Sequence, residues 1–314
     1  MARLPLGPGV YRFRDATGRV LYLGRATSMR RRVASYWGDL GDRGHLAAMV
    51  ARIARVEAVP CASAHEAAWL ERNLLERSKP PWNRSASGGQ EAEVWIRLSA
   101  SAGAPGVRVT RRPGLDAGAP GVRVTGRPWL DEEARYFGPY LGGQKARHAV
   151  SGLARVLPFG PAAHKPTGTA RELARVRGVW QPVRADPVLT VAAALDRDPA
   201  ALAELRAELI RRRDAAAARL AYEFAGQVQA ELDALDWITA EQKVTSAQPR
   251  DFDVHGWARG VLVRFEVRGG RLSGWSQRGC AAEAGRRRLA ATSCGLEWAD
   301  FARRAAELAA LLAP

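Results

Sequence analysis

Residues 9–24, GVYRFRDATGRVLYLG, decide how the first part of this 314-residue chain folds. Two short runs of β-branched and aromatic residues, at 10–13 and 20–23, flank a turn segment that contains a glycine. This pattern is typical of a β-hairpin. It places Tyr11 and Tyr22 on adjacent strands, where tyrosine side chains more often pack than react.

The predicted hairpin is followed by three helices and one strand. Apolar spacing and residue type indicate helices over residues 28–37, 46–55 and from 64 onward, and a strand over residues 56–61. Ser63-Ala-His-Glu66 has the form of a capping box, which starts the last of these helices, and Pro80-Pro81 ends it. The sequence therefore predicts a compact α/β unit.

Glu71 is the first candidate for chemistry because its predicted surroundings are apolar. On a helix, its neighbours three and four residues away are Ala67, Ala68, Leu74 and Leu75. A buried carboxylate is costly unless it is paired, hydrogen-bonded or bound to a metal. The pattern leaves two alternatives open, a salt bridge to a nearby arginine and a metal ligand.

Arg32 is the second candidate, since it shares a predicted helix face with Met29 and Tyr36. Its planar guanidinium suits a phosphate, although a solvated side chain in a run of three arginines explains the same pattern. Arg25 follows Tyr22 by three residues, and a cation beside a phenol favours the phenolate.

The charge of the chain points to a polyanionic partner. The net charge is +16, with 48 basic residues, and nucleic acid is the commonest polyanion. Only four of these basic residues are lysine, so the arginine-rich composition of a GC-rich genome explains the surplus equally well. The 47% hydrophobic content excludes a disordered chain.

The sequence also predicts where the protein resides. No apolar run approaches the roughly 20 residues that span a bilayer, and the first residues show no signal-peptide pattern. The cysteines have no CxxC spacing, which indicates neither a disulfide framework nor a cysteine metal site: Cys61, Cys280 and Cys294. We expect a cytoplasmic protein with free thiols and no membrane partner.

The rest of the chain divides by composition. Serine and glycine at residues 84–90 indicate a linker, and a 15-residue sequence then occurs twice in tandem over 103–132. One copy is expected to occupy a strand and the other to form a loop. Residues 200–241 carry an apolar stripe that predicts a helical hairpin with a break near Tyr222. Strands and a last helix are predicted over residues 253–312.

Several of these features together resemble a known nuclease family. Gly9-Val10-Tyr11, then ten residues, then Tyr22-Leu23-Gly24 is similar to the two-part motif of GIY-YIG nucleases. The resemblance continues through residues 25–36 and 66–75 and ends at Lys79-Pro-Pro-Trp-Asn83. It is greatest for nucleases of the UvrC and Cho type, which act in bacterial excision repair.

The resemblance implies a role for each matching side chain. Glu71 binds a single divalent cation, Mg²⁺ or Mn²⁺, and Arg32 stabilises the phosphate. Tyr22 is the general base that activates a water molecule. Four further residues have supporting roles at the water, the phosphate and the surrounding backbone: Tyr11, Tyr36, Arg25 and Asn83. The two arginines beside Arg32 are expected to contact DNA: Arg30 and Arg31.

Residues 220–243 resemble the UVR motif, the helical hairpin through which UvrC docks on UvrB. The resemblance implies that Tyr222, Glu223 and Phe224 dock this partner. Residues 201–248 contain six basic and eight acidic residues, which fits a contact with protein better than one with DNA. Gln229-Ala230 replaces the Arg-Asp pair usual in the motif, so a hairpin that only covers the core is the alternative.

Two further segments resemble UvrC, and one departs from it. Residues 134–140, ARYFGPY, match a segment of its middle region. Residues 158–187 lack the cysteines that accompany an iron–sulfur cluster there, so no cluster is expected. The strands after residue 250 resemble the start of its second nuclease, of which only a remnant is expected.

The predicted fold class is α/β, with a small mixed sheet flanked by helices, then a helical hairpin and a short C-terminal α+β segment. The predicted domains are a nuclease over 1–86, a middle region over 87–200, a UVR-like hairpin over 201–245 and the remnant over 250–314.

The predicted function is metal-dependent hydrolysis of one phosphodiester in damaged or structured DNA, on the 3′ side of a lesion, in nucleotide excision repair. Two alternatives stay open. One is a structure-specific nuclease that acts independently of UvrB, and the other is an inactive DNA-binding repair accessory.

Overall fold

The computed structural model describes residues 2–83, 91–99, 106–110, 134–157, 187–292 and 295–313. The chain forms two compact units. The first consists of Met1–Gln90 with Glu241–Pro314, and the second is Glu91–Ala240. The predicted linker at 84–90 and the second repeat copy at 118–132 lie outside the described residues.

The first sheet combines the predicted hairpin with one returning strand. Its strands are β1 (Gly9–Arg14), β2 (Val20–Ala26) and β3 (Arg55–Pro60). β1 lies in the middle and pairs antiparallel with both neighbours. The α/β class is confirmed, but the expected mixed sheet is wrong for the described strands. The helices between β2 and β3 carry the chain to the far edge of β1, where β3 pairs antiparallel.

Short helices and one long helix accompany this sheet. They are α1 (Met29–Ala34), a 3₁₀ helix (Gly41–Leu46), α2 (Ala47–Val50) and α3 (Ala64–Arg77). The predicted start of α3 is confirmed, because the N-cap Ser63 accepts from the Glu66 N–H at 2.9 Å. The Glu66 carboxylate accepts from the Ala62 N–H at 2.7 Å, one residue before the N-cap that a capping box would use. α1 is shorter than predicted because the chain tightens into i→i−3 hydrogen bonds after Ala34.

The second unit packs a sheet and helices around its own core. Its strands are β4 (Glu93–Ser99), β5 (Gly106–Thr110) and β6 (Ala134–Leu141), all antiparallel with β4 in the middle. β5 belongs to the first repeat copy, which therefore occupies a strand as expected of one copy. The helices are α4 (Gly143–Val156), α5 (Pro187–Leu195), α6 (Pro199–Ala218) and α7 (Tyr222–Thr239).

The predicted helix break near Tyr222 falls between α6 and α7. Leu220 adopts a φ of 59° there, and the two helices pack against each other. The kinship of this hairpin with the UVR motif stays a prediction. Within the described part of the chain, no helix has the length and apolar character needed to cross a membrane.

The C-terminal segment is part of the first unit. An antiparallel meander is followed by two helices: β7 (Phe252–Ala258), β8 (Val261–Arg268), β9 (Arg271–Gly279), α8 (Ala282–Ala290) and α9 (Leu296–Leu312). α9 packs against β3 as well as β7 and β8. Its Leu308 joins the apolar core that contains Tyr11 and Phe13. The segment that sequence predicts as a remnant thus completes the core beneath the first sheet.

Candidate active site

Three phenols converge on one face of the first sheet. Tyr11 comes from β1, Tyr22 from β2, and Tyr36 from the turn after α1. Their ring centroids lie 5.9–6.3 Å apart, and the hydroxyls of Tyr11 and Tyr36 are 2.8 Å apart. Phe13 stacks beneath them. The cluster is therefore fixed by ring packing and by one buried hydrogen bond.

The glycines of the two-part motif leave room for this cluster. A Cβ on Gly24 would lie 2.7 Å from the Tyr11 hydroxyl and 2.8 Å from the Tyr22 ring. A Cβ on Gly9 would lie 2.4 Å from the Val59 carbonyl oxygen. Both positions exclude any larger side chain, so the glycines are required by packing around the tyrosines and β3.

Arg32 supplies positive charge to the phenols. Its guanidinium carbon lies 5.5 Å from the Tyr36 ring centroid, and the side chain is half-buried. Burial opposes the charge of Arg32, but its interactions with Tyr11, Tyr36 and Tyr22 outweigh burial and raise the pKa. Arg32 is therefore a stable cation that faces the tyrosine cluster.

The phenols themselves resist ionisation. Burial and the neighbouring Tyr22 raise the pKa of Tyr11 to about 12. Burial, Tyr36 and the charge of Glu71 raise the pKa of Tyr22, and Arg32 opposes these effects. Arg32 is the arginine among the largest effects on the pKa of Tyr22, and the expectation that Arg25 favours the Tyr22 phenolate stays a prediction. The two side chains are three residues apart on a strand and point to opposite faces.

Glu71 projects from α3 and is 9% exposed. The backbone N–H of Arg25 donates to its carboxylate at 3.2 Å, and Arg25 Nε lies 3.1 Å from the other carboxylate oxygen. The salt bridge that was one alternative from sequence is thus present. A carboxylate that pairs with Arg25 and whose charge acts on Tyr22 is also a suitable ligand for a hard cation.

Asn83 joins the end of the domain to β2. Its amide nitrogen donates to the Leu23 carbonyl at 2.7 Å, and its amide oxygen accepts from the Leu23 N–H at 3.0 Å. The side chain thereby imitates a neighbouring strand along the β2 edge. Asn83 holds the backbone between Tyr22 and Gly24 and does not touch the phenols through any of these bonds.

The remaining predicted residues lie on two helices, α1 and α7. Arg30 is exposed and donates to the Leu4 carbonyl at 2.7 Å, and Arg31 is exposed. The residues predicted to dock a partner begin α7 in the second unit, where Tyr222 is 66% and Phe224 37% exposed. Glu223 lies in the first turn of that helix.

Sequence reasoning missed Arg43, from the 3₁₀ helix. Its guanidinium carbon lies 5.0 Å from the Tyr36 ring centroid, and it donates to Ser35 Oγ at 3.2 Å. No apolar periodicity marks this residue, because the chain around it is irregular. The signal that could have found it is a second arginine seven residues after a candidate tyrosine.

Comparison with known proteins identifies the part of the chain that carries this site. A protein-family model described as a UvrC-like GIY-YIG domain matches residues 7–84, which contain every member of the cluster. Residues 7–84 are a UvrC-like GIY-YIG domain. Among the described residues, no group of three or more His, Cys, Asp or Glu side chains could hold a metal.

Curated relatives resemble the chain over a longer stretch. UvrABC system protein C of Symbiobacterium thermophilum is 31% identical over 291 residues, covering 87% of this chain and 43% of that protein. The Moorella thermoacetica protein of the same name is 28% identical over 291 residues, covering 87% and 44%. The chain spans less than half the length of these relatives.

One solved structure also matches the GIY-YIG domain. It is the N-terminal endonuclease domain of UvrC from Thermotoga maritima, a point mutant bound to its catalytic divalent cation. The match is 26% identical, covers 26% of this chain and 88% of that one, and has a TM-score of 0.24.

Proposed function

We propose that this protein is a metal-dependent endonuclease that hydrolyses one strand of damaged or structured DNA in excision repair, on the 3′ side of a lesion. The observation that carries the proposal is the convergence of Arg32, three phenols and Glu71 within the UvrC-like GIY-YIG domain. Phosphodiester hydrolysis needs a base, a nucleophilic water and positive charge at the phosphate.

The donor chemistry of Glu71 fits a divalent cation. Mg²⁺ is commonly held by one or two carboxylates together with water and substrate phosphate. A cation held by Glu71 supplies charge neutralisation at the phosphate and acidifies water. Mg²⁺ and Mn²⁺ both suit a single carboxylate, and we propose that one of them binds here.

The chain's own residues perform the other tasks. Arg32 donates to a non-bridging phosphate oxygen and stabilises the charge that develops in the transition state. Tyr22 takes the proton of the attacking water. The negative charge of Glu71 raises the pKa of Tyr22, so neutralising that charge favours the phenolate. Tyr11 and Tyr36 orient each other, and through their ring contacts with Tyr22 they fix its position.

Glu71→Gln tests the metal assignment. We expect it to abolish nicking of an end-labelled duplex with one bulky adduct in Mg²⁺ or Mn²⁺, because the amide lacks the charge of the carboxylate. DNA affinity should persist. Glu76→Gln, on an exposed turn of the same helix, is the matched control and should nick normally. Residual nicking by Glu71→Gln would show that the metal assignment is wrong.

The partner proposal concerns UvrB and the α6–α7 hairpin. Exposed aromatic side chains at the start of α7 favour docking. Gln229 favours the second candidate, a nuclease independent of UvrB, because it already bonds Arg213 and Asp233 within the hairpin. Pull-down of UvrB by the full chain, and by its Tyr222→Ser variant, distinguishes them. Binding that Tyr222→Ser abolishes supports docking, and no binding supports independence.

A further inference from the structure

A cluster of exposed arginines lies in the first unit, outside the tyrosine cluster. Residues 278–290 contain four arginines and a single carboxylate, Glu283. A fifth, Arg259, lies in the turn between β7 and β8. The Cys280 N–H donates to the neighbouring Gly260 carbonyl at 2.8 Å, which brings this turn to the end of β9. We call this set the β9–α8 arginine surface: Arg259, Arg278, Arg286, Arg287 and Arg288.

These arginines differ from others in the same segment in how few carboxylate partners they have among the described residues. Arg264 lies 2.6 Å from Asp253, and Arg303 lies 2.6 Å from both Asp300 and Glu307. Within the described part of the chain, four members of the β9–α8 arginine surface form no ion pair. The fifth, Arg287, reaches Glu283 at 3.9 Å with both side chains largely exposed. Genome composition explains an arginine count but does not explain why, among the described residues, four of these five lack a carboxylate partner.

α8 is held firmly against the sheet, so its arginines occupy fixed positions. Gly285 faces the Trp257 indole so closely that a Cβ would lie 2.4 Å from the ring. The same indole donates to the Cys280 carbonyl at 2.9 Å, and Thr292 Oγ1 lies 3.0 Å from His255 Nδ1. The helix is therefore anchored at both ends before any ligand binds.

The charges converge from three elements. After burial, the largest effects that lower the pKa of His255 include those of Arg264 on β8, Arg288 on α8 and Arg278 on β9. Asp253 opposes them and is itself bonded to Arg264. His255 is half-buried, and three arginines disfavour its protonation. The electrostatic potential around it is therefore positive.

We propose that the β9–α8 arginine surface binds the phosphate backbone of duplex DNA outside the catalytic cluster. Arginine matches phosphate through paired N–H donors. α8 has nine residues and is about 13 Å long, a length over which duplex DNA carries about eight phosphates. Charge spread along such a length suits a polyanion better than a single phosphate ion. The proposal rests on the proposed function, since it assumes DNA as the substrate.

The test measures affinity and its salt dependence. Full-length Glu71→Gln protein, which should bind without cutting, is titrated into a fluorescein-labelled 40-base-pair duplex at several salt concentrations. Replacing Arg286, Arg287 and Arg288 by serine in this background should raise Kd about tenfold or more near 0.1 M salt. It should also reduce the magnitude of the slope of log K against log salt by about 2.7, because each of the three phosphate contacts contributes about 0.9.

Matched variants separate this surface from general charge. Serine at Arg206, Arg211 and Arg213 removes the same charge from partly or fully exposed arginines that have carboxylate partners, and should leave Kd nearly unchanged. Lysine at the three α8 positions should preserve the slope. A double variant, Arg259→Glu with Arg278→Glu, tests the surface without altering α8. It should also weaken binding to the duplex. Equal Kd and slope for the α8 serine variant and its control overturn the proposal.

Nicking by the unmodified protein, measured in parallel, distinguishes the two proposals. If the α8 serine variant loses affinity while the unmodified protein nicks no DNA, the surface stands and the nuclease function fails. If the unmodified protein nicks DNA and the variant keeps its affinity, the function stands and the surface instead suits another partner, such as an acidic protein.

Discussion

At the scale of single residues, the site depends on a glycine whose missing side chain leaves room for the phenols. The ring centroids of Tyr11 and Tyr22 can lie 6.3 Å apart across the hairpin because Gly24, opposite Tyr11, has no side chain. Arg32 then faces phenols whose pKa values are raised by burial. A protonated phenol is a poor base at neutral pH, so the chemistry of this site must respond to pH and to charge at Glu71.

Gly24→Ala should disrupt the tyrosine cluster. The added methyl would lie under 3 Å from both Tyr11 and Tyr22, and overpacking of this kind costs about 1–3 kcal/mol of unfolding free energy. We expect nicking to fall at least about tenfold, since small displacements of catalytic groups are costly. Gly38→Ala is the control because a Cβ there meets nothing within 4 Å. Equal loss in both variants, by nicking rate and urea unfolding, contradicts the packing argument.

Nicking should accelerate with pH. The pKa of Tyr22 is raised, so the phenolate fraction grows about tenfold for each pH unit below that pKa. Single-turnover nicking between pH 6.5 and 8.5 should therefore rise with a slope near 1 on a logarithmic scale. Tyr22→Phe should lose both the rate and the slope. A flat profile for the unmodified protein is inconsistent with Tyr22 as the base.

At the scale of elements, the side chains on the two faces of β1 make different contacts. Tyr11 points to the phenol cluster, whereas Arg12 points to the opposite face and pairs with Glu57 on β3. Arg12 also lies 3.7 Å from the Trp275 ring centroid and donates to the Trp275 carbonyl at 2.8 Å. Strand alternation thus lets one short strand present the site and tie the first sheet to β9.

Glu57 should make stability depend on acidity. Its side chain is fully buried and pairs with Arg12, Arg14 and Arg55. Burial raises its pKa, but these arginines outweigh burial and leave the pKa below the ordinary value. The stabilisation is therefore present above the unfolded-state pKa, about 4.3, and is lost as pH falls through the lower folded-state value.

Glu57→Gln should cost about 3–5 kcal/mol at pH 7, because it leaves buried arginine charge unpaired. In urea unfolding, the deficit relative to unmodified protein should shrink below pH 4. Glu76→Gln removes an exposed ion pair and should cost under about 1 kcal/mol at either pH. A Glu57→Gln deficit that does not change with pH argues against this linkage.

At the scale of the whole molecule, the first unit is discontinuous in sequence. Met1–Gln90 and Glu241–Pro314 share one core, although 150 residues separate them. Asn73 donates to the Val244 carbonyl at 3.2 Å and to Thr245 Oγ1 at 2.8 Å, and Arg77 pairs with Glu266 at 2.9 Å. The first sheet and α3 are therefore supported by residues of the C-terminal segment.

Leu308→Ala should reveal that support. Leu308 is 7% exposed and packs in the core that contains Tyr11, so its truncation should cost about 2–5 kcal/mol. Leu311, in the same helix, is 41% exposed, and Leu311→Ala should change stability by less than about 1 kcal/mol. Thermal unfolding monitored by tyrosine absorbance reports both. Equal small effects mean that α9 does not stabilise the nuclease core.

The sequence by itself determined the local elements and the composition of the site. Alternation marked β1 and β2, the capping box marked α3, and the apolar neighbours of Glu71 marked a carboxylate that needed a partner. These signals are short-range, because hydrogen bonds and side-chain spacing within one element produce them. The motif residues could be assembled into one candidate site only through resemblance to a family.

Tertiary structure decided which strands pair and which side chains meet, because the spacing of residues in the sequence does not determine these contacts. It paired β3 antiparallel with β1, turned Arg25 toward Glu71 instead of Tyr22, and added Arg43 from an irregular segment. It also brought α9 and β9 to the nuclease core. Arg43 contacts residues only seven and eight positions away. The other outcomes depend on contacts between residues far apart in the chain, whose energy arises only when separate elements pack together. The local pattern fixes which residues are available, and packing fixes which of them meet.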